Sequence, residues 1–194
     1  MQAERPLAPA LAYADLPDGL CEKAAEDQSR AALYAYLSKP LIDSLSAFLA
    51  GRNVVEAYAG RGHLSALLRE KGIAIRPTCL RSSHDASESL GHVIEVEDLS
   101  VSDAVARYGD WLDVLLVSWP VADDSLRRAL ALLPKGALVV FIGEVTDYTA
   151  KPFAFLGGCA NDAFFESVQE IHDLTGQLSY PSYRPDKIKV YKPH

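Results

Sequence analysis

The residues best placed to do chemistry lie in one run, Val54-Val55-Glu56-Ala57-Tyr58-Ala59-Gly60-Arg61-Gly62-His63-Leu64-Ser65. It reads as a strand, a glycine turn and a helix. In an open α/β sheet, ligands bind outside the carboxyl ends of the strands. Gly60 and Gly62 would let bare backbone approach a ligand, and the helix that follows would offer free N–H groups to an anionic group. Glu56, four residues before Gly60, adds a carboxylate to the same corner. A tight strand-to-helix turn with no ligand is the alternative reading of this run.

Other reactive side chains are scattered. His63 opens the helix after the turn, where it could touch a ligand or face solvent. Glu144 ends an apolar strand and is a candidate general base, or a residue that anchors the loop beyond it. Cys159, in Gly157-Gly158-Cys159, could be a nucleophile, yet no motif brings a histidine to it, and a buried thiol is the plainer reading. Cys21, Cys79 and Cys159 form no CxxC pair, so no zinc site is expected and the thiols read as reduced and intracellular. Tyr180-Pro181-Ser182-Tyr183-Arg184-Pro185 reads as a packed connection before the last strand.

The elements that must position these groups follow from periodicity. Residues 1–19 carry three prolines and no sustained pattern, which predicts an N-terminal arm ahead of one α/β domain over 20–194. An Ala-rich helix is expected over 20–37. Pro40 suits a first helical turn; Leu41, Leu45, Phe48 and Leu49 then share a face, and Gly51 stops the helix. Strands are expected at 54–58, at 73–75 (cut short by Pro77), at 92–96, at 113–118 and at 137–142. Helices are expected at 64–72 and 126–133. The unbroken apolar run of 113–118 suits a strand buried on both faces. A long loop is expected over 143–161, then a short helix at 162–165 and strands at 168–171 and 188–191. Alternating strands and helices predict a single Rossmann-like domain with a mostly parallel central sheet.

Bulk composition narrows the function classes. The chain has 194 residues, 49% hydrophobic and 23% charged, enough for one globular domain with its own core. Net charge is −7 and no stretch gathers Lys or Arg, which argues against a nucleic-acid partner. No apolar run approaches the roughly 18 residues of a membrane span, and the first residues lack the basic and apolar regions of a signal peptide. A cytoplasmic location is therefore expected. Oligomeric state cannot be read from the sequence.

Glu56 to Gly62 resembles motif I of the class I S-adenosylmethionine (SAM)-dependent methyltransferases: an acid, then glycines at alternate positions. The wider chain is similar to an uncharacterised branch of that fold. The matching segments are Tyr34-Ala35-Tyr36 ahead of Pro40, Ser118-Trp119-Pro120, Ile142-Gly143-Glu144, and Gly157-Gly158-Cys159-Ala160-Asn161-Asp162-Ala163-Phe164-Phe165. Together they span residues 30–165. The resemblance implies SAM as cofactor, a small-molecule acceptor and an antiparallel C-terminal strand. It implies that Gly60 and Gly62 lie against the methionyl part of SAM, that Glu56 engages its amino group, and that Asp98 meets the adenine amine. Tyr58 takes the place of the first motif glycine. Ser118, Trp119 and Pro120 occupy the segment that lines the transfer site in such enzymes; Trp119 read alone could equally be a core residue. One departure weakens the cofactor reading. The acid that usually ends strand two and holds the ribose has no counterpart in Thr78-Cys79-Leu80-Arg81-Ser82-Ser83, and Asp85 is the nearest carboxylate. Losing that contact, ~1–3 kcal/mol, would weaken binding roughly ten- to a hundredfold.

Two rivals remain open. A methyltransferase-like chain without catalysis would serve as a binding or interaction module. An NADP-binding Rossmann protein would use Arg81 for the 2′-phosphate, although Ser65 stands where Gly or Ala would complete GxGxxG.

Overall fold

The computed structural model describes residues 7–80, 90–145, 158–181 and 185–194. Arg81, Asp85, Gly157, residues 146–157 of the expected loop and residues 182–184 of the Pro181–Pro185 connection lie outside them, as do residues 1–6.

Four parallel strands form one side of the sheet, with β2 at its edge: β1 (Asn53–Ala57), β2 (Ala74–Thr78), β3 (Val114–Ser118) and β4 (Leu138–Glu144). β5 (Val168–Glu170) and β6 (Asp186–Pro193) complete it, in the order β2-β1-β3-β4-β6-β5, with β6 antiparallel to both neighbours. This is the mostly parallel α/β sheet with an antiparallel C-terminal strand that the sequence implies. Chain order reverses at β1, whose partners are β2 on one side and β3 on the other.

Helices cover both faces. α1 (Glu22–Arg30), α2 (Lys39–Leu49) and α3 (His63–Glu70) precede β2; α4 (Val101–Tyr108), α5 (Ser125–Leu130), α6 (Asp162–Glu166) and α7 (His172–Thr175) follow it. β3 shows why its sequence carries no polar alternation. Val114 and Leu116 pack with Leu41, Leu45 and Leu68 on one face, while Leu115 and Val117 pack with Val105 and Leu126 on the other. Ser38 caps α2, its hydroxyl accepting from Leu41 N–H at 3.4 Å, and Pro40 sits in the first turn.

Three expectations need correction. The helix expected over 20–37 ends at Arg30, because Ala32 turns into the left-handed region at φ +58°. Gln28 then clamps the departing chain: its amide donates to Leu37 C=O and accepts from Leu37 N–H, each at 2.7 Å and buried. β2 runs through Pro77 to Thr78, since an edge strand tolerates a residue with no N–H. The strand expected at 92–96 does not form. A single parallel bridge, Thr78 to Glu97, stands in its place, with Glu97 N–H donating to Pro77 C=O at 3.0 Å.

α4 went unrecognised in the sequence. Ser100 caps it, accepting from Asp103 N–H at 3.1 Å, and Val101, Ala104 and Val105 form its buried face. The described part of the expected arm, residues 7–19, holds a short 3-10 turn, Tyr13–Asp15, and buries Leu16 in the core.

Replacing Gln28 with Ala strands both polar groups of Leu37 in the interior. Urea unfolding should then show a loss of about 2–4 kcal/mol; a loss under about 0.5 kcal/mol would mean that the clamp is not structural.

Candidate functional site

The chain leaves β1 through a sequence of unusual backbone angles. Tyr58 has φ +59°, Gly60 +53° and Gly62 +85°. For a non-glycine residue the left-handed region costs roughly 1–2 kcal/mol, so the Tyr58 conformation must be held by its surroundings. Its hydroxyl lies 2.7 Å from Ser125 Oγ. The Ser125 hydroxyl donates its one proton to Asp123, so Tyr58 must be the donor to Ser125. Burial pushes the Tyr58 phenol up to about 12, and the group stays protonated. The resulting chain runs Tyr58 to Ser125 to Asp123, from the end of β1 to the start of α5.

Beyond this exit lies a cavity of about 290 Å³. Residues just past three strands meet there: Tyr58 and Gly60 after β1, Cys79 and Leu80 after β2, and Trp119 after β3, with Ser118 ending that strand. Leu33, Tyr34, Leu99 and Val121 extend the wall. Among the described residues, four non-glycines have positive φ, and three of them (Ala32, Tyr58 and Trp119) line this one space. Strain of this kind concentrates at functional sites.

Glu56 is buried at the inner end of the cavity. Its carboxylate accepts from the Ser65 hydroxyl in the first turn of α3. Burial raises its pKa to about 7, against the opposing pull of the Ser65 hydrogen bonds and the Arg69 charge. Glu56 thus both ties the first turn of α3 to β1 through Ser65 and lines the cavity.

His63 is 4% exposed and also lines the cavity. Leu11 N–H donates to its Nδ1 at 3.3 Å, which puts the proton of the neutral ring on Nε2. Burial, aided by the Arg61 charge, lowers its pKa to about 4. The ring is thus neutral and, among the described residues, its buried Nε2–H has no partner. The ring's spare lone pair is already engaged by Leu11 N–H, so His63 is not placed to act as a base. The indole N–H of Trp119, on the same cavity, is likewise unpartnered.

Arg61 was not singled out in the sequence, yet it lines the cavity. Its guanidinium donates to the carbonyls of Gly91 at 2.8 Å and Ala31 at 3.0 Å, tying two flanking segments to the turn. Among the described residues no carboxylate pairs with it. Asp123 and Ser125 were missed as well; neither belongs to a recognisable motif, and only the fold carries them to the strand exits.

Other expected site residues sit elsewhere. Gly62 does not line the cavity: a Cβ there would stand 2.8 Å from Ile94 Cγ1, so its role is close packing under the 92–97 segment. Asp98 is exposed and outside the lining, which its neighbours Leu99 and Ser100 provide. Pro120 is buried beside the site, its carbonyl accepting from Ala160 N–H at 3.4 Å. Glu144 also lies outside the lining; it accepts from Gly158 N–H at 2.9 Å and so fixes the end of the 145–158 connection. Cys159 is 1% exposed, and burial pushes its thiol up to about 11, which suits packing and not nucleophilic attack. Phe164 and Phe165 pack against Phe141 and Tyr191, mostly edge-on, at centroid distances of 5.6–6.3 Å, so that segment is an aromatic anchor. Among the described residues no His, Cys, Asp and Glu cluster could hold a metal ion, and no helix is long and apolar enough to cross a membrane.

The sequence matches no protein-family model and no curated protein. Its structure is similar to that of MtNAS solved in complex with MTA and tNA, at 14% identity over 89% of this chain and 69% of that one, with a TM-score of 0.50. Similarity extends to the mitomycin 7-O-methyltransferase MmcR, at 17% identity over 89% of this chain and 58% of that one, TM-score 0.47. It extends also to the CcbJ methyltransferase from Streptomyces caelestis, at 13% identity over 79% and 90%, TM-score 0.47. At such identities the likeness concerns the fold. The chain spans little more than half of MmcR.

The buried Glu56 makes stability fall as pH rises. The unfolded carboxyl ionises near 4.5 and the folded one near 7, so folding opposes ionisation between these values and the penalty is complete above them. Urea unfolding should find Glu56→Gln gaining about 2–3 kcal/mol on the native protein between about pH 5 and about pH 8. A constant difference would show that Glu56 is solvated.

Proposed function

We propose that the chain binds SAM in the cavity at the exit of β1 and transfers its methyl group to a small-molecule acceptor. One observation carries the reading: the cavity lies outside the carboxyl ends of β1 and β3, where the strand order reverses, the place where open α/β sheets take their ligands. Gly60 lines it, and a Cβ at this glycine would meet nothing within 4 Å, so bare backbone borders open space.

The residues present fit such a group. Glu56 is a carboxyl suited to an ammonium, and Arg61 a guanidinium without a carboxylate partner among the described residues, suited to a carboxylate; both line the cavity. Tyr58, Gly60 and Ser118 would complete the cofactor contacts, with Leu99 and Ser100 supplying the surface that Asp98 was expected to give. The volume, about 290 Å³, is at the small end of ligand pockets. When bound, SAM supplies an activated methyl on a sulfonium, so the hard chemistry is the cofactor's. The chain's part is to exclude water with its apolar walls and to hold donor and acceptor in register.

A second reading, a binding module without catalysis, is favoured by the end of β2. Cys79 and Leu80 line the cavity there, where the methyltransferase pattern places a ribose-binding acid.

Calorimetric titration separates these readings. SAM and S-adenosylhomocysteine should bind with Kd between about 10 μM and about 1 mM, and Gly60→Asp should weaken both at least tenfold. No heat at millimolar SAM would remove the enzyme reading. Tighter binding of NADPH than of SAM would favour the dinucleotide alternative.

A further inference from the structure

The lining of the cavity divides by exposure. Glu56, His63 and Cys79 are buried, and four lining residues are exposed: Tyr34, Leu80, Val121 and Asp123. These four form its mouth. They come from three segments: Tyr34 from the stretch before α2, Leu80 from beyond β2, and Val121 and Asp123 from the connection between β3 and α5. Leu7, Leu20, Leu90 and Leu132, the other exposed large hydrophobics among the described residues, all lie outside the lining. We propose, on the reading that SAM occupies the interior, that this mouth receives the methyl acceptor and that the acceptor is an amine on an apolar body, its nitrogen at Asp123.

Asp123 decides the class. Its Oδ1 accepts from Ser125 N–H at 2.8 Å and from the Ser125 hydroxyl. Its Oδ2 has no hydrogen-bond partner and the carboxylate no ion pair among the described residues. Ser125 in turn accepts from Tyr58, 2.7 Å away. One carboxylate oxygen is thus left over at the mouth, in a side chain fixed through two hydrogen bonds to the exit of β1. A carboxylate among uncharged rim residues favours a cationic partner and turns away an anionic one. The exposed ring of Tyr34 adds a face that attracts cations. Leu80 and Val121 give an apolar body a surface on which to shed its water. In the transfer, the amine in its neutral form attacks the methyl carbon. The N–C bond forms as the S–C bond breaks with its electron pair staying on sulfur. The methylated nitrogen then gives its extra proton to Asp123, which passes it to water.

The test titrates three probes of similar shape into the full chain, with and without saturating S-adenosylhomocysteine, and reads binding by ligand-observed NMR. The probes are cyclohexylmethylamine, cyclohexylmethanol and cyclohexanecarboxylate. The amine should bind at least tenfold more tightly than the other two. Methylamine, which lacks the apolar body, should bind at least tenfold more weakly than cyclohexylmethylamine. Asp123→Asn removes the charge and keeps an oxygen for Ser125. It should weaken the amine at least tenfold while cyclohexylmethanol, S-adenosylhomocysteine and the circular dichroism spectrum stay unchanged. Val121→Lys, at an exposed position, should weaken the amine about tenfold and tighten the carboxylate. Equal affinities for the three probes, amine binding untouched by Asp123→Asn, or competition between the amine and S-adenosylhomocysteine would each overturn the acceptor site and leave the cofactor reading standing. Amine binding that is lost in Asp123→Asn, in a chain that binds no S-adenosylhomocysteine, would overturn the cofactor reading and keep the amine site.

Discussion

The way the chain leaves β1 governs everything that can happen at this site. Tyr58, Gly60 and Gly62 all take positive φ, and each accepts that conformation for a different reason. Gly62 has no Cβ to collide with Ile94, which would lie only 2.8 Å away. Gly60 faces open space. Tyr58 is held by the Ser125 and Asp123 chain. The turn cannot relax into ordinary helix or strand geometry without breaking one of these arrangements, so α3 starts where it does and a gap is left between its first turn and the exit of β3. Glu56 reinforces the corner from beneath through Ser65.

The electrostatics of that gap follow from the burial of its side chains. Burial keeps His63 neutral and shifts the Glu56 carboxyl up to about 7, so neither carries a firm charge near neutral pH. Arg61 keeps its positive charge against backbone carbonyls. The cavity lining therefore holds one guanidinium, Arg61, and two carboxyl side chains, Glu56 and Asp123, among mostly apolar residues.

Much of the architecture was legible because it depends on local rules. The apolar run of β3, the Ser38-Lys39-Pro40 start of α2 and the glycine turn after β1 each announce themselves over a few residues. What escaped was decided by tertiary context. Pro77 does not end β2 because the strand lies at the sheet edge. The helix over 20–37 stops early because Gln28 binds Leu37, a contact that no periodicity encodes. α4 hides in a stretch of mixed polarity, although Ser100 and the spacing of Val101, Ala104 and Val105 could have revealed it. At the site, Glu56, Tyr58, Gly60, Ser118 and Trp119 come together as their motif positions suggest. Gly62, Asp98, Pro120 and Glu144 do not join the lining, and Arg61, Asp123 and Ser125 do. Motif spacing gives the strand exits but not which way each side chain turns.

The central claim is that the space beyond the left-handed exit of β1 accommodates an adenosyl group. A crystal structure of the chain grown with S-adenosylhomocysteine tests it most directly. The account predicts ligand density along Gly60, with its amino-acid end between Glu56 and Arg61 and its base against Leu99. Density elsewhere on the molecule, or the Tyr58 ring swung across the cavity with no ligand bound, would contradict it.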